Sequence, residues 1–92
     1  MINIKFYENE NRVVALDGEK IIGECDFDVL ENTWNIVHTE VDSRYQGQGI
    51  ARRLVECVIE NAKLQDKKIA SDCSYAYRIL EKLKGGKWIW II

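Results

Sequence analysis

The sequence predicts a mixed α/β fold with elements in the order β-β-β-β-α-β-α-β, an antiparallel meander that turns parallel around one helix. Three observations lead there. The first 41 residues hold four strand-like runs bounded by turn formers. From Gln48 to about Gln65 the apolar positions Ile50, Leu54, Cys57, Val58 and Ala62 recur at helical spacing instead. A short apolar run follows that helix, and a strand reached by a helical crossover pairs parallel, through a right-handed connection.

Taken in order, Ile2-Asn3-Ile4-Lys5-Phe6-Tyr7 alternates apolar and polar positions until Glu8-Asn9-Glu10-Asn11 breaks the run, giving a first strand and a polar turn. Arg12-Val13-Val14-Ala15-Leu16 is the second strand. Asp17-Gly18 marks a tight turn, and Lys20 to Phe27 is its hairpin partner, with Gly23 as the site of a bulge. Within it Ile21, Gly23, Cys25 and Phe27 are expected on one face, which makes Cys25 a small core residue. Trp34 to Val41 reads as a fourth strand rich in β-branched residues. Strict alternation would put Trp34, Ile36, His38 and Glu40 on one side of it and Asn35, Val37, Thr39 and Val41 on the other. After the long helix, Lys67-Lys68-Ile69-Ala70-Ser71 is a short strand. Asp72-Cys73-Ser74 reads as the start of a second helix striped by Ala76, Ile79, Leu80 and Leu83 and ended by Gly85-Gly86. Trp88-Ile89-Trp90-Ile91-Ile92 is a last strand, or a tail that packs on the core or on a second subunit.

Length and composition bound the function. Ninety-two residues, 47% hydrophobic and 30% charged, fit one domain spanning 1–92 and a single core. No apolar run reaches the ~20 residues of a membrane helix and the N-terminus lacks a signal-peptide layout, so a cytoplasmic protein without a membrane partner is expected. Cys25, Cys57 and Cys73 form neither a CxxC pair nor, with the single His38, a zinc set; reduced thiols and no metal are expected. The net charge of −2 divides into −6 over residues 1–40 and +4 over 41–92, compatible with an anionic ligand on the second half and a cationic one near the first. The acidic total and the lack of an aromatic-plus-basic motif argue against nucleic acid.

Val41-Asp42-Ser43-Arg44-Tyr45-Gln46-Gly47-Gln48-Gly49-Ile50-Ala51 is the stretch with chemical content. Two glycines and an alanine stand where the long helix should begin. Small residues there leave backbone N–H groups free to face a ligand, and the helix dipole adds partial positive charge, so the turn can hold a phosphate.

Gln46-Gly47-Gln48-Gly49-Ile50-Ala51 is similar to the acyl-CoA pyrophosphate loop of the GNAT superfamily of N-acetyltransferases, with Gln46, Gly49 and Ala51 at the three specified positions. His38-Thr39-Glu40-Val41 and Cys73-Ser74-Tyr75-Ala76 resemble signatures of a small, compact subgroup of that superfamily. The likeness covers roughly residues 20–84. It implies an acetyl-CoA-dependent N-acetyltransferase acting on a small-molecule or protein amine, with a non-catalytic CoA-binding module as the alternative. It implies too that amides from Gln46 through Gly47, Gln48, Gly49, Ile50 and Ala51 bind the CoA pyrophosphate, and that Thr39-Glu40-Val41 runs beside the pantetheine arm. Arg44, Arg52 and Arg53 are near enough in sequence to meet the phosphates, although only some need do so, an Arg on an exposed first turn being more often simply solvated. Two departures stand out. The helix pair that usually follows the first strand is missing, so the acceptor site is open or completed by another chain. At the usual Asn, Ala, Tyr positions after the fifth strand stand Cys73, Ala76 and Leu80, which removes the usual acid. In a direct transfer Glu40 or His38 would take the amine's proton and Tyr75 or Tyr77 would replace the acid. In a covalent transfer Cys73, at a helix N-terminus, would carry the acetyl group, although the neighbouring Asp72 opposes its ionisation.

Overall fold

A computed structural model describes residues 1–73 and 76–79. The alternating first 41 residues form β1 (Ile2–Tyr7), β2 (Arg12–Asp17), β3 (Lys20–Leu30) and β4 (Thr33–Val41). They are followed by α1 (Ile50–Leu64) and β5 (Lys68–Ser71). The five strands make one sheet in the order β1-β2-β3-β4-β5, antiparallel except for the β4–β5 pair. Beyond β5 the backbone turns helical: the Tyr77 N–H donates to the Cys73 carbonyl at 2.9 Å, and Ala76 and Ile79 are buried as the stripe requires. Ser74, Tyr75, Leu80, Leu83, the Gly85-Gly86 stop and the Trp88–Ile92 strand lie outside the described residues.

The apolar stripe of α1 lies on one face of the sheet. Leu54, Val55 and Val58 are fully buried there, against Val13, Cys25 and Ile36. Trp34 fills the β5 side of this core, its ring stacked 4.6 Å from Phe27 and 5.9 Å from Phe6. Gly23 lets the helix come close. A Cβ built on it would stand 3.1 Å from the Glu40 carbonyl, 3.3 Å from Val41 and 3.4 Å from Leu54, so a side chain would push α1 and β4 away from β3.

Two bulges alter the expected faces. Ala15 pairs with Gly23 but Leu16 pairs with Ile21, which makes Ile22 the extra residue of β3. Ile22 is therefore buried with Gly23, while Ile21, expected inside, turns outward and is 56% exposed. On β4, His38 pairs with Asp26 but Ile36 pairs with Phe27, leaving Val37 unmatched. Trp34 and Ile36 face α1 as strict alternation requires. Past Val37 the pattern inverts: Thr39 bonds to the buried Cys25 sulfur and Val41 joins the core, so His38 and Glu40 lie on the opposite, outer face from Trp34 and Ile36. A one-residue insertion reverses every later side chain of a strand.

The bulge also marks where the sheet opens. Parallel pairing runs from Thr33 with Lys68 to Ile36 with Ser71 and stops there. A last bond, from the Asp72 N–H to the Ile36 carbonyl at 2.9 Å, joins the two strands at that point. Beyond it no described strand pairs with residues 37–41 on that side.

Candidate functional site

The open edge of β4 is polar by geometry. The Asp42 N–H donates to Ile22 across the β3 side at 2.8 Å, and alternate residues of an antiparallel strand point the same way. Glu40 and His38 thus spend their amides on β3, and those of Thr39 and Val41 face the free edge.

The chain then enters a loop built around Asp42. Its carboxylate accepts from the Arg44 N–H at 2.9 Å and from the Arg44 guanidinium at 3.0 and 3.2 Å. Those hydrogen bonds hold its pKa down at about 2. This clasp shapes the single turn Ser43–Tyr45. Two glycines in the left-handed region follow, Gly47 at φ 83° and Gly49 at φ 75°. Gly49 caps α1 with no side-chain hydrogen bond, because it has no side chain to make one. The first helical bond runs from the Arg53 N–H to the Gly49 carbonyl at 3.1 Å, which leaves the amides of Ile50, Ala51 and Arg52 without a helical acceptor. No acidic side chain occupies this first turn.

Loop and strand edge meet around a cleft of about 340 Å³ lined by Thr39, Glu40, Val41, Tyr45, Gln46, Gly47, Gly49, Ile50 and Ala51. Its two ends differ in chemistry. One presents the dipole-charged amides of a helix start, suited to a phosphate, and the other a row of peptide groups suited to an amide-bearing chain.

Over residues 11–85 the sequence matches the family profile described as GCN5-related N-acetyl-transferase. The chain belongs to that family. Membership places it among acetyl-CoA-dependent N-acyltransferases. The fold agrees: a GCN5-like protein of Staphylococcus aureus, solved in solution, is 30% identical with a TM-score of 0.75, over 97% of this chain and 87% of that one. The ribosomal-protein-S18-alanine N-acetyltransferase of Escherichia coli, 19% identical, shares the fold with a TM-score of 0.68 over 78% of this chain and 50% of its own. A structure assigned to streptothricin acetyltransferase of Bacillus anthracis, in complex with acetyl coenzyme A, aligns at 25% identity with a TM-score of 0.62 over 77% of this chain and 44% of its own. This GCN5-related chain therefore spans about half the length of the last two or less. No curated protein matches it in sequence.

Of the residues that sequence pointed to, the GCN5-related fold brings Thr39, Glu40, Val41, Gln46, Gly47, Gly49, Ile50 and Ala51 onto one cleft; Gln48 lies in the same loop, exposed. The arginines are engaged elsewhere. Arg44 is held by Asp42, Arg52 pairs with Glu56 at 2.9 Å, and Arg53 reaches the Ile2 carbonyl at 3.5 Å. His38 and Glu40 stand together on the outer face, His38 Nε2 at 3.0 Å from Glu40 Oε1. Beside them Glu24, Asp26 and His38 bring ligand atoms within 4.8 Å of one another. A guanidinium already sits in that group: Arg12 donates to Asp26 at 3.0 Å and lies 4.0 Å from Glu24. Glu24 hydrogen-bonds to Asp26, which raises its pKa, burial adding to the effect. The group is a charge-sharing cluster that already has its cation.

Cys73 is half-buried where β5 ends. Its N–H donates to Ser71 Oγ at 3.0 Å and its carbonyl accepts from the same hydroxyl at 2.8 Å, beside a surface hollow of about 410 Å³ lined by Ser71, Asp72, Cys73, Tyr77 and Arg78. Cys25 is the reverse case. Burial pushes its thiol up to about 12, and burial also raises Cys57. Both therefore stay protonated, whereas Cys73 opens on that hollow. Tyr75 lies outside the described residues, and Tyr77 is 54% exposed. Sequence reading missed Tyr45, Asp17, Asp42 and Ser71, whose contacts shape the site. Asp42 next to Arg44 before a glycine turn was the one local signal available.

Proposed function

We propose that residues 1–92 form one small N-acetyltransferase domain that passes the acetyl group of acetyl-CoA to an amine, on a small molecule or a protein. The observation that carries this reading is the position of Glu40. It borders the cleft below the glycine loop and also the outer face, so it stands between a donor held in the cleft and an acceptor arriving from outside.

In this reading the amides of Gly47 to Arg52 hold the donor's diphosphate, and the Thr39 and Val41 peptide groups pair with its pantetheine arm. Arg52 can leave Glu56 for a phosphate, because an exposed i,i+4 pair is worth only about 0.3–0.5 kcal/mol. Arg44, with three bonds to Asp42, shapes the loop. Glu40, steadied by His38, takes the proton from the acceptor's ammonium. The neutral nitrogen then bonds to the acetyl carbon, the carbon–sulfur bond breaks, and the second proton that the nitrogen gives up as it becomes an amide goes to the sulfur, so that CoA leaves as a thiol.

A second reading is favoured by Cys73 opening on the hollow at the β5 end. Its sulfur takes the acetyl group as the donor's carbon–sulfur bond breaks, giving a protein thioester and free CoA. The acceptor amine then displaces Cys73 to form the amide. Mass spectrometry after incubation with acetyl-CoA separates the two. An acetyl adduct on Cys73, absent from Cys25 and Cys57 and lost in Cys73→Ala, supports the covalent route. No adduct, full turnover in Cys73→Ala and a loss of about 10²-fold or more in Glu40→Gln support the direct one.

No described helix is long and apolar enough to cross a membrane. The cytoplasm fits three free thiols and a donor made inside cells, and a homodimer would complete the open acceptor side.

A further inference from the structure

Tyr45 ends the single turn after Asp42 and directly precedes Gln46. Its ring packs on the core, and its hydroxyl donates to Asp17 Oδ2 at 2.5 Å, the short end of the range for a bond to a carboxylate. Asp17 ends β2, beside the hairpin turn where Gly18 lies at φ 64°. One bond thus ties the loop before α1 to a hairpin 28 residues earlier in the chain.

The rest of the loop has little to hold it. Gln46 makes one long backbone bond, to the Ser43 carbonyl at 3.4 Å, and residues 46–49 are exposed. The position of Gly47 and Gly49 is therefore set by the two ends of the segment, α1 on one side and Tyr45 on the other. Tyr45 also lines the cleft itself.

We propose that Tyr45 is a positioning residue: its bond to Asp17 fixes the glycine loop in the geometry that receives the donor's diphosphate, so that donor affinity depends on a hairpin that never touches the donor. This rests on the donor site proposed above. Preorganisation acts through binding, because a loop already in place loses less freedom when the ligand arrives. It does not act on the chemical step. The phenol proton is committed to Asp17, so Tyr45 does not serve as the acid that protonates the leaving sulfur.

Tyr45→Phe keeps the ring and removes only the hydroxyl, Asp17→Ala removes the acceptor, and Asp17→Asn keeps an acceptor oxygen. Calorimetry with CoA and steady-state kinetics should show Tyr45→Phe and Asp17→Ala each weakening CoA binding and raising KM for acetyl-CoA about tenfold, with kcat within about twofold. The double variant should be no weaker than either single one, and Asp17→Asn should recover most of the loss. Wild type that binds CoA alongside a Tyr45→Phe variant of equal affinity overturns the tether alone. So does a fall in kcat at constant KM. Wild type that binds no CoA overturns the donor site and the tether with it. Melting curves of each variant separate lost tethering from lost folding, and Asp17→Asn supplies the comparison should Tyr45→Phe prove unstable.

Discussion

Gly49→Ala should lower affinity for CoA about a hundredfold while leaving the protein folded. The two effects have separate causes. An L-residue at the φ of 75° that Gly49 adopts costs about 1–2 kcal/mol, and a Cβ there would meet nothing of the protein within 4 Å. Folding therefore loses little beyond that strain, a fall in Tm of several degrees for a domain of this size. Binding loses more. The new methyl stands in open space at the cap of α1, and relief of the strain should turn the amides of Ile50 and Ala51 away from their common focus. Each charge-assisted bond lost costs about 1.5–3 kcal/mol, so one or two of them account for a hundredfold. Calorimetry on wild type and variant, with melting curves beside it, checks both halves. Equal CoA affinities in two folded proteins would contradict the assignment of this turn.

Trp34→Ala should be the most damaging single core change. The side chain is 2% exposed, stacked 4.6 Å from Phe27 and paired in register with Ile69 of β5. Truncating a buried aromatic to alanine costs about 3–5 kcal/mol, against a total of about 5–15 for a domain. The variant should therefore unfold at much lower urea, and Trp34→Phe, which keeps a ring in the stack, should recover more than half of the loss. Circular dichroism through a urea series measures this. A loss below about 1 kcal/mol for Trp34→Ala would mean that the cavity closes over and that Trp34 does not anchor this side of the sheet.

Much of this was legible in the residues. The strands, the long helix and the glycine turn have one-dimensional signatures: alternation, helical spacing of Ile50, Leu54 and Val58, and two glycines at a helix start. The family likeness rested on the same stretch. The bulges at Ile22 and Val37 were not legible, because an inserted residue leaves both flanking patterns intact and only the pairing with a neighbouring strand reveals the shift. That is why alternation alone puts His38 and Glu40 on the face of Trp34 when they lie opposite it. The arginines show a second limit. Sequence placed Arg44, Arg52 and Arg53 near the glycine turn, but whether a guanidinium meets a ligand or a carboxylate depends on side-chain geometry, and here Asp42 and Glu56 take two of them. Tyr45 and Asp17 show a third, since a bond spanning 28 residues leaves no trace in spacing.

The proposed activity depends on one turn of backbone receiving a diphosphate. Titrating isotope-labelled protein with CoA and following each backbone amide by NMR tests that directly. The expected shifts concentrate on Gly47, Gly49, Ile50, Ala51 and Arg52, with a second group at Thr39 and Val41 along the open edge of β4. Shifts that saturate elsewhere, on the outer face around Glu24 and Asp26 or along β1, while the glycine turn stays unmoved, would contradict it.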